Sequence, residues 1–209
     1  MELYSYWRST TAYRVRIALN LKGLAYKTRT VDLVAGAQNA PDYARLNPIE
    51  GVPTLVLEDG RALTQSMAIL DWLEAEYPAP PLLTGDAFAH AQQRAAALCI
   101  ATDIHPVNNL KVVTKIKSMG HSSKDTTAWM CHWMTTGFTA FEKLIQPNTS
   151  YCFGDAPGLA DLCLVPQIYN AHRWGVDLAP FTRLTDIESR CLSQPAFDIA
   201  RPENQPDAT

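Results

Sequence analysis

The chain has 209 residues, 47% apolar and 19% charged, enough for one or two domains with a substantial core, which excludes disorder as the main state. Eighteen basic against twenty-one acidic side chains leave a net charge of −3, with no global attraction to nucleic acid or anionic lipid. The five cysteines (Cys99, Cys131, Cys152, Cys163 and Cys191) contain no C-x-x-C pair, and no apolar run is long enough to span a bilayer, so a soluble cytoplasmic protein without disulfides, metal site or membrane anchor is expected.

Glu2 to Tyr6 reads as a strand. From Ala12 to Lys22 the positions Val15, Ala18 and Leu19 recur at helical spacing, with Gly23 as a stop. Lys27 to Leu33 is predicted as a second strand, and a loop through Gly36 and Pro41 leads to a short helix ending at Asn47-Pro48. Thr54 to Leu57 and Arg61 to Leu63 flank Asp59-Gly60, a hairpin signal. Gln65 to Tyr77 is predicted as a helix with Met67, Leu70 and Leu73, together with Ala68 and Trp72, on its apolar side. Pro78, Pro80 and Pro81 break the pattern, and only helical stretches follow: Ala87 to Lys117, Lys124 to Ile145, Leu159 to Trp174 and Thr182 to Leu192. Pro202 to Thr209 reads as a loosely held tail. The expectation is an α/β domain over 1–81 and an all-helical domain over 87–209.

The segment Trp7-Arg8-Ser9-Thr10-Thr11 carries the most chemical information. Three hydroxyls stand between a strand and a helix, where free backbone N–H groups and the helix dipole favour negative charge, and Arg8, Arg14 and Arg16 lie nearby. Such a junction holds a phosphate, a carboxylate or a thiolate; alternatively Ser9 or Thr10 merely caps the helix while the arginines face solvent. Val52-Pro53 enters a strand, where a cis bond would expose the backbone of Val52 to a ligand. Gln65-Ser66 opens a helix and offers either a second anion site or an ordinary cap.

These elements together resemble the zeta class of the glutathione S-transferases. Arg14-Val15-Arg16-Ile17-Ala18-Leu19 after the hydroxyl turn, Val52-Pro53, Gln65-Ser66, Asp103-Ile104-His105-Pro106, Asn108-Asn109, Ala160-Asp161-Leu162 and Asn204-Gln205-Pro206-Asp207 occur in the order of that class. Within it the resemblance is to bacterial maleylacetoacetate isomerases, with maleylpyruvate isomerases next. It implies a thioredoxin-like glutathione-binding domain, a helical substrate-binding domain and a two-fold homodimer. Glutathione is the implied cofactor, with Gln65 and Ser66 at its γ-glutamyl end, Val52 and Pro53 at the cysteinyl backbone and Gln38 at the glycyl end. Ser9, Thr10, Thr11 and Arg8 would face the sulfur, and Arg8 and Arg173 the carboxylates of an unsaturated diacid. His105 either lines the glutathione or diacid pocket with Asn109 or packs against the kink at Pro106.

The implied reaction is cis–trans isomerisation of maleylacetoacetate to its fumaryl isomer; maleylpyruvate isomerisation, general transferase activity and a non-enzymatic binding module are the alternatives. Two positions depart from the class: Thr11 stands where many members carry cysteine, which puts the load on Ser9 and glutathione, and Gly158 stands where Ser or Thr often caps a helix. Asp161 is therefore expected to be structural. His90, His121, His132 and His172 show no metal-ligand spacing, and Trp129, Trp133, Phe138 and Phe141 are read as core.

Overall fold

A computed structural model describes residues 1–209, which divide into two compact units: Met1–Leu82 with Leu192–Thr209, and Leu83–Cys191. The first unit is built on a four-stranded sheet in the order β2-β1-β3-β4. Strand β1 (Glu2–Ser5) leads through the hydroxyl turn into α1 (Thr10–Leu21) and on to β2 (Lys27–Thr30), which pairs parallel to β1. Helix α2 (Pro41–Leu46) precedes β3 (Thr54–Val56) and β4 (Ala62–Thr64), both in antiparallel pairing. Leu3 faces Leu55 across the ladder and Leu55 faces Leu63, so one apolar row crosses the sheet. The Asp59-Gly60 turn joins β3 to β4 as expected, with Gly60 at φ 85° where a side chain would be strained. Strand β2 stops short of the predicted Leu33 because the Asp32 carboxylate accepts the N–H groups of Val34 and Ala35 and turns the chain. Helix α3 (Ser66–Glu76) buries Ile69, Leu70 and Leu73; the exposed Ala68 and half-buried Met67 lie off the expected face.

The sequence expectation for the end of the chain is corrected in two respects. Residues 192–209 pack with the first unit rather than with the helical stretch 87–191. A short helix over Pro195–Ala200 buries Phe197 and Ala200 and lies against α1, where Asn20 donates to the Ala196 carbonyl. Pro202–Thr209 is not a loose tail: its polar side chains satisfy backbone groups, Gln205 donating to the Ile199 and Arg201 carbonyls and Asp207 accepting from Trp7 N–H. Composition marked the segment as solvent-facing, but its polarity serves internal hydrogen bonds.

The junction after α3 is tied to α1 by one buried cation. The Lys22 ammonium, with no exposed side-chain surface, donates to the Glu74 carboxylate at 3.0 Å and to the carbonyls of Tyr77 and Pro80. Replacing Lys22 with methionine removes the cation from the Glu74 carboxylate and the donor from two carbonyls. A loss of about 3 kcal/mol is expected in denaturant unfolding.

The second unit is helical: α4 (Ala87–Leu98), α5 (Leu110–Ser118), α6 (Ser123–Leu144), α7 (Leu159–Trp174) and α8 (Thr182–Leu192). The predicted continuous helix from Ala87 to Lys117 is broken. A π-helical turn spans Cys99–Ile104, a 3-10 turn spans Pro106–Asn108, and His105 N–H reaches back five residues to the Ile100 carbonyl. Pro106 has no N–H to continue the ladder, and the wider turn accommodates that loss. Beside it α6 approaches through Gly137, where a Cβ would stand 2.2 Å from Ile104 Cγ1. From α6, Phe138 and Phe141 are fully buried as expected; Trp129 is instead 38% exposed, with its indole N–H on the Val107 carbonyl, and Trp133 is half-buried. No helix is long and apolar enough to cross a membrane.

Helix α7 starts at Gly158, which has no side chain to cap it. Asp161, buried at 1% exposure, does the work from inside: its carboxylate accepts Gly158 N–H at 2.8 Å and Cys152 N–H at 2.9 Å. Burial pushes its carboxyl up, against the two N–H bonds that hold it down. Cys99, Cys152, Cys163 and Cys191 are buried free thiols and Cys131 is half-buried; burial raises Cys152 and Cys191 far above the range in which a thiolate forms.

Candidate active site

The β1–α1 turn is closed by Ser9 N–H donating to the Tyr6 carbonyl at 2.9 Å. Ser9 then caps α1, its hydroxyl oxygen accepting Ala12 N–H at 3.2 Å. Proton accounting fixes the remaining bonds. Thr11 Oγ1 donates to the Val52 carbonyl at 2.8 Å, which spends its single proton. In the 2.9 Å contact between Ser9 and Thr11, Ser9 is therefore the donor. The relay runs from Ala12 N–H through Ser9 and Thr11 to Val52. Thr10 is buried at 4% exposure, whereas Ser9 and Thr11 are half-buried.

Val52-Pro53 is a cis bond. Beside it a cleft is lined by Thr11, Gly51, Val52, Pro53, Gln65 and Ser66, with Asn47 and Ile49 completing its wall. The hydroxyl turn, the proline turn and the start of α3 converge there, although they are far apart in sequence. Gln65 takes φ 68° and ψ 117°, a conformation that costs a non-glycine residue about 1–3 kcal/mol and that clusters at ligand sites. Its amide makes no cap for α3. The Ser66 oxygen accepts from the buried Arg14 guanidinium at 3.3 Å, so the Ser66 proton is left to donate elsewhere. With the first N–H groups of α3, the end of the cleft presents donors and no carboxylate, the chemistry of an anion seat.

Two residues that the sequence reading passed over shape this cleft. Asn47 donates to the Gly51 carbonyl at 2.7 Å and to Thr54 Oγ1 at 3.0 Å, and the buried Tyr43 hydroxyl bonds the same two groups. The pair holds the loop that delivers Val52. Asn47-Pro48 read only as a helix stop; its polar side chain so close to a proline turn was the available signal.

The three arginines differ in burial and partners. Arg16 is fully buried and bonds Ser5, Tyr6, Trp7 and Ala200, while Arg14 lies under Ser66. The solvated-face alternative read from sequence is corrected for these two. Arg8 alone is half-exposed, its guanidinium 4.4 Å from the Trp7 ring centre and bonded to the Tyr6 hydroxyl. Gln38 stands in a 3-10 turn at Ala37–Asn39 outside the cleft lining, with its side-chain oxygen buried and without a donor. In the second unit, Asn109 caps α5 by accepting Lys111 N–H, His105 ends the π-helical turn half-buried, and Arg173 is exposed in the last turn of α7 with its guanidinium over Trp174.

Residues 8–76 match the family model described as "Glutathione S-transferase, N-terminal domain". Over 209 residues the chain is 44% identical to a maleylacetoacetate isomerase of Pseudomonas aeruginosa, covering 99% of this chain and 98% of that protein. A solved holo structure of a bacterial zeta-class maleylpyruvate isomerase superposes with a TM-score of 0.96 at 40% identity over the whole of both chains. The chain belongs to the zeta-class glutathione S-transferases. A further member, a maleylacetoacetate isomerase from Methylobacterium extorquens AM1 solved with bound malonate and glutathione, matches with a TM-score of 0.95 at 37% identity over both full chains. The first unit of this zeta-class chain is thus the thioredoxin-like sheet expected from sequence, and the second the helical bundle.

Proposed function

We propose that the chain is a glutathione-dependent cis–trans isomerase acting on maleylacetoacetate. The observation that carries this reading is the full-length likeness to a protein named for that activity. The residues present fit glutathione. The donor-lined end of the cleft at Gln65 and Ser66 suits its γ-glutamyl carboxylate and the Val52-Pro53 turn suits the cysteinyl backbone, while Gln38 is assigned to the glycyl end on the resemblance alone. When bound, glutathione supplies a thiolate that adds reversibly to the conjugated double bond and so removes its barrier to rotation.

The chain's own residues make that chemistry possible at neutral pH. A free thiol with a pKa of about 8.5 is only a few per cent ionised there. Lowering that value by roughly two units takes about 2.7 kcal/mol of preferential thiolate stabilisation. Ser9 supplies a hydroxyl donor when its proton swings from Thr11 to the sulfur, and the α1 N-terminus with Arg8 adds positive potential. Arg8 also favours negative charge developing on the substrate oxygen. Arg173 is assigned to a substrate carboxylate, which its planar fork suits. His105 and Asn109 are assigned to glutathione, and we read the molecule as a cytoplasmic homodimer, on the resemblance alone.

Maleylpyruvate is the second reading, favoured by the TM-score of 0.96 to an isomerase of that substrate. An absorbance assay of each diacid in the presence of glutathione separates them: the higher kcat/KM is expected for maleylacetoacetate, and turnover of neither ends the isomerase reading. Replacing Arg173 with alanine is expected to raise the diacid KM about tenfold or more, the worth of a charged hydrogen bond, with glutathione affinity retained. An unchanged diacid KM removes Arg173 from the site.

A further inference from the structure

Trp7 occupies the second position of the turn closed by Ser9 and Tyr6, so its N–H points away from the turn and has no partner within it. The partner comes from 200 residues away: the Asp207 carboxylate accepts Trp7 N–H at 3.0 Å. The Trp7 carbonyl is held by the same remote segment through Arg16. That buried guanidinium donates from Nη2 to the Trp7 carbonyl at 3.0 Å, from Nε to the Ala200 carbonyl at 3.0 Å and from Nη1 to Ser5 Oγ at 3.0 Å. Both backbone groups of Trp7, two residues before Ser9, are thereby referenced to residues 200–207. Within that segment, Gln205 clasps the Ile199 and Arg201 carbonyls, and Asn204 the Asp198 carbonyl, so Asp207 is presented from a braced support.

We infer that Asp207 is a positioning residue for the hydroxyl turn, holding the Trp7 amide so that Arg8 and Ser9 meet the glutathione sulfur. The inference rests on the proposed reading in which that turn faces the sulfur. The role is geometric rather than electrostatic. A carboxylate near a thiolate opposes its formation, so charge alone would make Asp207 a hindrance. What it supplies is a strong, directed acceptor for one partly buried N–H. A shift of the turn by a fraction of an ångström is enough to misplace the Ser9 donor.

The test uses the full-length protein with glutathione and reads the pKa of the bound thiol by ultraviolet absorbance, alongside kcat, KM and melting temperature. Asp207→Ala is expected to raise the bound thiol pKa by about one unit and to lower kcat/KM about tenfold to a hundredfold. Asp207→Asn keeps an acceptor oxygen without the charge and is expected to restore both to within about threefold of the parent. If Asp207→Ala does not fold, Asp207→Glu carries the same expectation as the alanine variant, because the extra methylene displaces the acceptor. A lowered melting temperature with parental thiol pKa and kcat overturns the inference, as does an asparagine variant as impaired as alanine. Ser9→Ala is measured in parallel: a thiol pKa unmoved there defeats the underlying reading, whereas one that moves there but not in the Asp207 variants defeats only the positioning role.

Discussion

Ser9→Ala is expected to raise the pKa of the bound glutathione thiol by about one to two units, since a hydrogen bond to a charged group is worth about 1.5–3 kcal/mol. At neutral pH the thiolate fraction, and with it kcat/KM, falls about tenfold to a hundredfold. A second effect is separable. Ser9 also caps α1 through Ala12 N–H, so about 1 kcal/mol of stability is lost in denaturant unfolding. Thr11→Val provides the contrast. Thr11 spends its proton on the Val52 carbonyl and accepts the Ser9 proton, so its removal frees Ser9 to donate to sulfur. The thiol pKa is expected to stay level or fall slightly in Thr11→Val. Thiol titrations of the two variants decide between the hydroxyls: a rise in Thr11→Val matching that in Ser9→Ala would make Thr11 the donor.

The largest loss of stability is expected from Asp161→Ala. Its carboxylate is the acceptor for two N–H groups, Cys152 in a loop and Gly158 at the start of α7, and one oxygen serves each. Truncation strands both donors and leaves a hole beneath the helix. At about 1–3 kcal/mol for each buried group left unpaired, the cost is roughly 4 kcal/mol. That is a large share of the ~5–15 kcal/mol stability of a typical domain. Asp161→Asn keeps one acceptor oxygen but turns an N–H₂ toward the other donor, so it is expected to lose at least half as much. Both values come from the denaturation midpoint at constant slope. A loss below about 1 kcal/mol for the alanine variant would mean that water or another group replaces the carboxylate.

What was legible in the sequence was local. Three consecutive hydroxyls between strand and helix, a proline entering a strand, and Gln65-Ser66 at a helix start each announce their backbone environment through neighbours, and the structure gathers Thr11, Val52, Gln65 and Ser66 on one cleft. The hairpin at Asp59-Gly60 was legible for the same reason. Features set by tertiary packing were not. The burial of Arg14 and Arg16 was not legible, because their partners Ser66 and Ala200 lie 52 and 184 residues away. The polar run ending in Asp207 read as a free tail because nothing nearby shows that Trp7 has an amide to satisfy. Pro106 announced a disturbance of its helix, but not that a π-helical turn and the close approach of Gly137 would absorb it.

The proposed isomerisation borrows its working sulfur: glutathione is the catalyst, and the chain's own cysteines take no part. Its most direct measurement follows maleylacetoacetate isomerisation with glutathione present at a small fraction of the substrate concentration. The full substrate is expected to convert to the trans isomer, with free glutathione recovered intact at the end and no reaction when it is omitted. Isomerisation without glutathione, or glutathione consumed mole for mole as a conjugate, would contradict the account.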